Sequence, residues 1–349
     1  MIESHAAPRA IMVAMSGGVD SSVTAALLMK RGYLVVGVYM RLSQNESPEQ
    51  TQKVKQIAER LGIRCEVVDL AAPFQQQVLD YFSQTYQSGL TPNPCVVCNR
   101  TIKFGLLREF GRRHLGISAM ATGHYARAVS GPDGQVRLLT GLDRKKDQSY
   151  FLCCLGQEHL REVTFPLGET TKEDVYRVAA GLGLSGLHST ESQDICFLQG
   201  RDLADFFAYT PPRPGEFVTQ NGECRGRHQG IFRYTVGQRR GLGLPDATPY
   251  YVLGLNAQSN QVTIGKEEEL WQESLTVRDM HWVAGYAPAL PQRFMVKIRY
   301  RHLPAPALVS QDGSGGYLCH FSAPQRAITP GQFAVLYQED EVIGGGAIL

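Results

Sequence analysis

Three places in the 349-residue chain carry side chains able to do chemistry together. The first is Ser16-Gly17-Gly18-Val19-Asp20-Ser21-Ser22, which follows the apolar run Ile11 to Ala14 and precedes small apolar residues reaching Leu28. Strand, glycine turn and helix start make an anion site. Glycines admit a close backbone approach, and the first-turn N–H groups and helix dipole favour a phosphate. Ser21 or Ser22 is the expected helix cap, and the hydroxyls of Ser16, Ser21 and Ser22 add donors. The loop has no Gly-Lys-Ser/Thr for γ-phosphoryl transfer and no G-x-G-x-x-G for a dinucleotide.

The second place is Cys95-Val96-Val97-Cys98, inside Gly89-Leu-Thr-Pro-Asn-Pro-Cys-Val-Val-Cys-Asn-Arg-Thr-Ile-Lys-Phe104. Pro92 and Pro94 hold an extended loop, and a helix is expected from Lys103 to His114. A thiol at a helix start beside Arg100 and Lys103 is expected to have a lowered pKa and thiolate character. No second C-x-x-C is available to complete a structural zinc site, and a pair of buried cysteines without chemistry is the alternative that the Pro-rich polar setting disfavours. The third place is Cys196 in Asp-Ile-Cys-Phe. An isolated cysteine between apolar residues is usually core, but the polar approach Ser189 to Asp194 fits a loop that presents it.

The elements that position these groups alternate. Tyr33 to Met40 and Arg64 to Leu70 read as parallel strands, Glu49 to Leu61 and Pro73 to Tyr86 as helices, and Ser118 to Gly123 as a further strand. The pattern predicts a doubly wound α/β domain with its ligand at the carboxyl ends of the strands. Met40 then lies near an adenine or in the core, and Gly123-His124 either meets a ribose or phosphate or carries a structural histidine. Ala126 to Leu139 reads as a β-hairpin, Cys153-Cys154 as core, and Thr170 to Asp174 as a capping-box pattern that starts a helix ending at Gly183. After Pro214-Gly215 short strands replace βα units. Arg225 to Gly243 interleaves five arginines with Phe232 and Tyr234, which fits either an RNA backbone or a solvated basic face. From Leu275 onward five or six short strands predict a small closed barrel.

Hydrophobic content of 43% suffices for two or three cores, and a net charge of +2 does not by itself argue for nucleic acid. Eight cysteines in a chain this long are not a disulfide framework. No apolar window reaches membrane-span length and the N-terminus lacks an apolar signal core, so a cytoplasmic protein is expected.

Ser16–Ser22 resembles the pyrophosphate loop of the ATP pyrophosphatase superfamily. In order along the chain, Ser16–Ser22, Asn93–Phe104, Lys146–Leu152, Asp194–Leu198 and Phe232–Leu244 together resemble the bacterial tRNA-specific 2-thiouridylases. The resemblance implies a pyrophosphatase domain (1–208), a small central domain (209–274) and a C-terminal β-barrel (275–349). It implies ATP at Ala14, Met15, Ser16, Gly17, Gly18, Val19, Asp20, Ser21, Met40 and Gly123, with Asp20 near the phosphates through Mg²⁺. It implies tRNA contacts at Asn93, Pro94, Cys95, His124, Lys146, Asp147, Gln148, Arg299, Tyr300 and Gln332, with Cys98 as nucleophile and Cys196 as persulfide carrier. An upstream persulfide donor and a reductant for a Cys98–Cys196 disulfide follow as partners. Some members have an acid where this chain has Cys95, so Cys95, Cys98 and Cys196 could instead hold an iron–sulfur cluster. The competing readings are an ATP-dependent amidating ligase on the same loop and a non-enzymatic RNA-binding protein.

Overall fold

The computed structural model describes residues 9–184, 186, 195–198 and 203–349. The approach Ser189 to Asp194 lies outside them. Five strands form one parallel sheet: β1 (Ala10–Met15), β2 (Leu34–Arg41), β3 (Arg64–Asp69), β4 (Met120–Ala121) and, after the hairpin β5 (Ala126–Ser130) and β6 (Val136–Thr140), β7 (Val163–Thr164). Their order is β3-β2-β1-β4-β7. The chain winds outward in both directions from β1, so the topological switch point lies between β1 and β4.

Both sheet faces are covered, which is why β1 is continuously apolar. Ile11, Val13 and Met15 pack with residues of α1 (Val19–Lys30) and α2 (Pro48–Leu61), while Met12 packs on the other face with Ile102, Phe104 and Leu107. Ser47 caps α2 through Glu49 N, and Gly62 ends it at φ 69°. A helix over 71–87 (α3) follows β3. The next helix, α4, runs over 94–115 and so begins nine residues before the expected Lys103. Pro94 starts it rather than preceding it as a loop residue: the first helical position needs no N–H, and Asn93 Oδ1 accepts from Val96 N at 3.3 Å. Asn99–Leu107 is wound as a wide π-helix. α5 (Lys172–Gly181) has the expected capping box, with Asp174 N donating to Thr171 Oγ1 at 3.1 Å.

The central strands β8 (Gly215–Thr219), β9 (Cys224–His228), β10 (Tyr251–Asn256) and β11 (Gln261–Gly265) are ordered β10-β11-β8-β9. Phe232 and Tyr234 are buried, Tyr234 within this sheet's own core. They are therefore not exposed stacking platforms interleaved with the arginines.

Six antiparallel strands follow: β12 (Trp271–Trp282), β13 (Gln292–Lys297), β14 (Ala305–Gln311), β15 (Tyr317–Arg326), β16 (Phe333–Gln338) and β17 (Glu341–Ile348). Their order β12-β15-β14-β13-β16-β17 closes through a β12–β17 pairing, giving the expected barrel. The hairpin β5–β6 forms as expected but joins this barrel, with Leu139 opposite Glu341. Arg127 and Arg144 both ion-pair with Asp340, the first at 3.1 Å. No helix among the described residues is long and apolar enough to cross a membrane.

Candidate active site

The phosphate loop has the predicted strand–turn–helix form, with a different cap. Gly18 occupies the N-cap of α1 in extended backbone, and no side chain caps the helix. Ser21 and Ser22 lie inside the first turn, where their hydroxyls donate back to Gly18 O at 3.1 and 2.9 Å. Ser16 N donates to Ser21 Oγ at 3.2 Å and draws the loop shut. Gly17 has φ 78°, a left-handed conformation that favours glycine. With no side-chain cap, the positive end of α1 faces outward as an anion site. Gly123 brings the end of β4 against this turn: a Cβ there would lie 3.0 Å from the Asp20 carbonyl carbon and 3.1 Å from Ser21 N. Ala14 and Met15 end β1, with Met15 buried, and Met40 packs against the core near the end of β2.

Asp20 is not a free carboxylate. Lys172 Nζ lies 2.8 Å from each of its oxygens, and Tyr125 Oη donates to Oδ1 at 2.9 Å. Burial, and then the Asp20 charge, raise the Tyr125 phenol far above its ordinary value. A magnesium ion held by Asp20 would have to displace the ammonium, so these residues do not fit the expected direct Asp20–Mg²⁺ contact. Sequence reasoning passed over Lys172, because its only visible signal was the helix start that contains it.

A cleft of about 1170 Å³ extends from this loop between the parallel sheet and the barrel. Ser16, Gly18, Val19 and Asp20 line one part of it, and Asn93, Pro94, Cys95, Cys98 and Cys196 another. Thus the two C-x-x-C thiols and a cysteine about a hundred positions later share one space. Cys196 is presented next to Phe197, whose ring packs edge-on against Phe74 and Phe82 at centroid distances of 6.1 and 5.1 Å.

The expected low thiol pKa is overturned. Loss of hydration along the cleft wall pushes the half-buried Cys98 up to about 11 and the half-buried Cys95 up to about 12, and it raises Cys196, the exposed one of the three, as well. Lys103 opposes the rise at all three thiols, but loss of hydration outweighs one cation. The early start of α4 explains the difference: Cys98 lies a turn inside a helix packed on the core, rather than at an open helix end. The same burial, with Lys103 adding to it, holds His124 well below the usual imidazole value. His124 is therefore neutral, with Nδ1 2.7 Å from Thr122 Oγ1 and its ring near Phe104 and Phe165. Among the described residues, no three His, Cys, Asp or Glu side chains converge as a metal-ligand set. Cys95, Cys98 and Cys196 thus share the cleft without forming a preassembled iron–sulfur site.

Comparison with known proteins decides between the readings of this cleft. Residues 9–200 match the family described as tRNA methyl transferase HUP domain, residues 205–266 the tRNA methyl transferase PRC-barrel domain, and residues 272–348 the aminomethyltransferase beta-barrel domain. A protein of Magnetococcus marinus named tRNA-specific 2-thiouridylase MnmA is 44% identical, over 98% of this chain and 99% of its own. Proteins of the same name from Desulfotalea psychrophila and Syntrophotalea carbinolica are 42% and 44% identical, each over 97% of this chain and 98% of its own. The chain belongs to the tRNA-specific 2-thiouridylase family. The domain descriptions speak of methyl transfer, but each covers part of the chain, whereas the thiouridylases align from end to end.

In this thiouridylase the residues expected to meet RNA fall into two groups. His124, Lys146, Asp147, Gln148, Tyr300 and Gln332 line the same cleft as the cysteines. Arg299 is not in the cleft wall: its Nη1 donates to the Arg326 and Ala327 carbonyls at 3.3 and 3.4 Å, and burial lowers its pKa. The Asp147 carboxylate is buried and accepts from Gly141 N at 3.0 Å, Ser149 N at 3.1 Å and Ser149 Oγ at 3.0 Å. It shapes the loop rather than offering a free acceptor. Gln148 Oε1 accepts from Tyr125 N at 3.1 Å, and Gln332 Nε2 donates to Thr91 O and Pro92 O at 3.2 and 3.0 Å. Gln332 thereby ties the barrel to the segment leading into Asn93-Pro94-Cys95. Tyr300 packs on Phe151 at 4.4 Å, with Lys297 Nζ 5.4 Å from its ring.

Proposed function

We propose that the protein thiolates tRNA at C2 of the wobble uridine, using ATP to activate the base. The observation that carries this reading is the single cleft in which an uncapped helix N-terminus and the Cys98 and Cys196 thiols meet. Seven cations (Lys103, Arg144, Lys145, Lys146, Lys172, Lys297, Arg301) against four carboxylates (Asp20, Asp147, Glu339, Asp340) line it, a balance suited to polyanions.

The uridine C2 carbonyl resists substitution because oxide is a poor leaving group. Attack by O2 on the ATP α-phosphorus releases pyrophosphate and makes AMP the leaving group. A persulfide on Cys196, delivered by a donor protein, attacks C2 through its terminal sulfur, and AMP departs. Cys98 thiolate then attacks Cys196 Sγ. The C2–sulfur electron pair returns to the base as 2-thiouridine, and a Cys98–Cys196 disulfide remains for an external reductant. The target base must leave its stack to reach the thiols, which a single-stranded loop permits. Magnesium accompanying the triphosphate would be held by phosphate oxygens and water rather than by Asp20.

Asn93, Pro94 and Cys95 would face the flipped base, while Lys146, Gln148 and Tyr300 would contact RNA. Residues 1–208, 209–274 and 275–349 would serve as the pyrophosphatase, central and barrel domains. Eight unpaired cysteines support a reducing, cytoplasmic setting. The test is whether pyrophosphate release from ATP requires unmodified tRNA. Release that ignores tRNA but responds to ammonia and a small carboxylic acid would instead support an amidating ligase.

A further inference from the structure

Two helices begin at the same point of the cleft. Asp20 lies in the first turn of α1, and Lys172 is the first residue of α5. An acid in a first turn is favoured by the helix dipole, but a cation there is not. Lys172 is nevertheless buried, with only 9% of its surface exposed. Its Nζ lies 2.8 Å from both Asp20 oxygens and 5.7 and 5.1 Å from the ring centres of Tyr125 and Tyr176. Lys172 N donates to Asp143 Oδ2 at 3.1 Å, which fixes the start of α5. The ammonium thus stands beside a second helix N-terminus that no side chain caps. Asp20 faces it directly, Asp143 holds its backbone N–H, and Glu173 and Asp174 share its helical turn, so four carboxylates oppose its charge. Asp20 and Lys172 both line the cleft, so the ammonium and the uncapped turn of α1 face one space where a ligand would lie.

We propose that Lys172 is the side-chain cation of the phosphate site, with Asp20 and Tyr125 as the residues that position it. The phosphate oxygens of ATP meet the α1 N–H groups and Lys172 Nζ together. Asp20 then acts by orienting Lys172 rather than by ligating a metal. This assignment rests on the ATP-dependent reading above and adds a residue to it.

The experiment compares ATP with adenosine, which lacks phosphates, by calorimetric titration of the full-length protein. Lys172→Met keeps an unbranched chain between the two tyrosine rings and removes the charge. It should weaken ATP binding by about ten-fold or more at low salt and leave adenosine affinity within about two-fold. Lys172→Gln, which can still hydrogen-bond Asp20, should give the same loss and serves as the second variant should Lys172→Met fail to fold. A purely structural lysine would weaken ATP and adenosine by the same factor, and that result, or unchanged ATP affinity in either folded variant, would overturn the assignment. Failure of the wild-type protein to bind ATP would instead remove the functional reading on which the assignment rests.

Discussion

The raised Cys98 pKa has a measurable consequence in the enzyme before substrate binds. An ordinary thiol at 9.0 pushed up to about 11 has roughly one hundredth of the thiolate at any pH well below both values. At pH 7.5 the fraction is on the order of 0.03%, against about 3% for the unperturbed thiol. Alkylation of Cys98 by iodoacetamide, followed peptide by peptide by mass spectrometry, should therefore be slow at neutral pH. The rate should rise about ten-fold per pH unit through pH 10, with glutathione as a reference that levels off earlier. Because Lys103 favours the thiolate, Lys103→Met should move the profile to still higher pH. A Cys98 profile that levels off below pH 8 would refute the claim that burial outweighs Lys103. A Lys103→Met profile that shifts downward would refute the assigned sign of the lysine's effect.

Gln332→Ala removes two hydrogen bonds to the Thr91 and Pro92 carbonyls and should destabilise that segment locally by about 1–2 kcal/mol. Hydrogen exchange at the Thr91 amide, which donates to Pro330 O at 2.8 Å, should speed up by roughly ten-fold, and unchanged protection would show that the barrel does not hold the segment. Lys146→Ala should weaken tRNA binding and reduce the log–log salt slope by about one, whereas an unchanged slope would place Lys146 outside the phosphate contacts. Cys196→Ser should abolish thiolation from a persulfide donor, and Cys98→Ser should leave persulfide on Cys196 after the donor is removed. Full turnover in either variant would contradict the relay.

Local features of the site were legible in the sequence because they are set by short-range chemistry. The apolar run before Ser16, Gly17 and Gly18 specifies a strand and turn, and the stretch Thr170 to Asp174 specifies a cap, which the fold places at Thr171. What escaped was set by distant packing. Pro94 after Pro92 suggests a loop, yet with Asn93 behind it the same ring starts a helix, and that shift sets Cys98 half-buried against the core. The charges near Cys98 can be counted in a sequence, but its lost hydration cannot. The hairpin 126–140 was recognisable from its turn, while its partner β17 begins at Glu341, about two hundred residues on. Lys172 shows the same limit, since its ion pair with Asp20 joins residues 152 positions apart. The arginines after Arg225 carried a basic pattern, but only the fold shows that Phe232 and Tyr234 between them face a core.

The most direct test of the central claim is a single-turnover reaction with unmodified tRNA, ATP and Cys196-persulfidated enzyme, followed by nucleoside mass spectrometry and thiol mapping. One 2-thiouridine per tRNA at the wobble position should appear together with one pyrophosphate, one AMP and one Cys98–Cys196 disulfide. Pyrophosphate release without 2-thiouridine, or 2-thiouridine formed without ATP, would contradict the account.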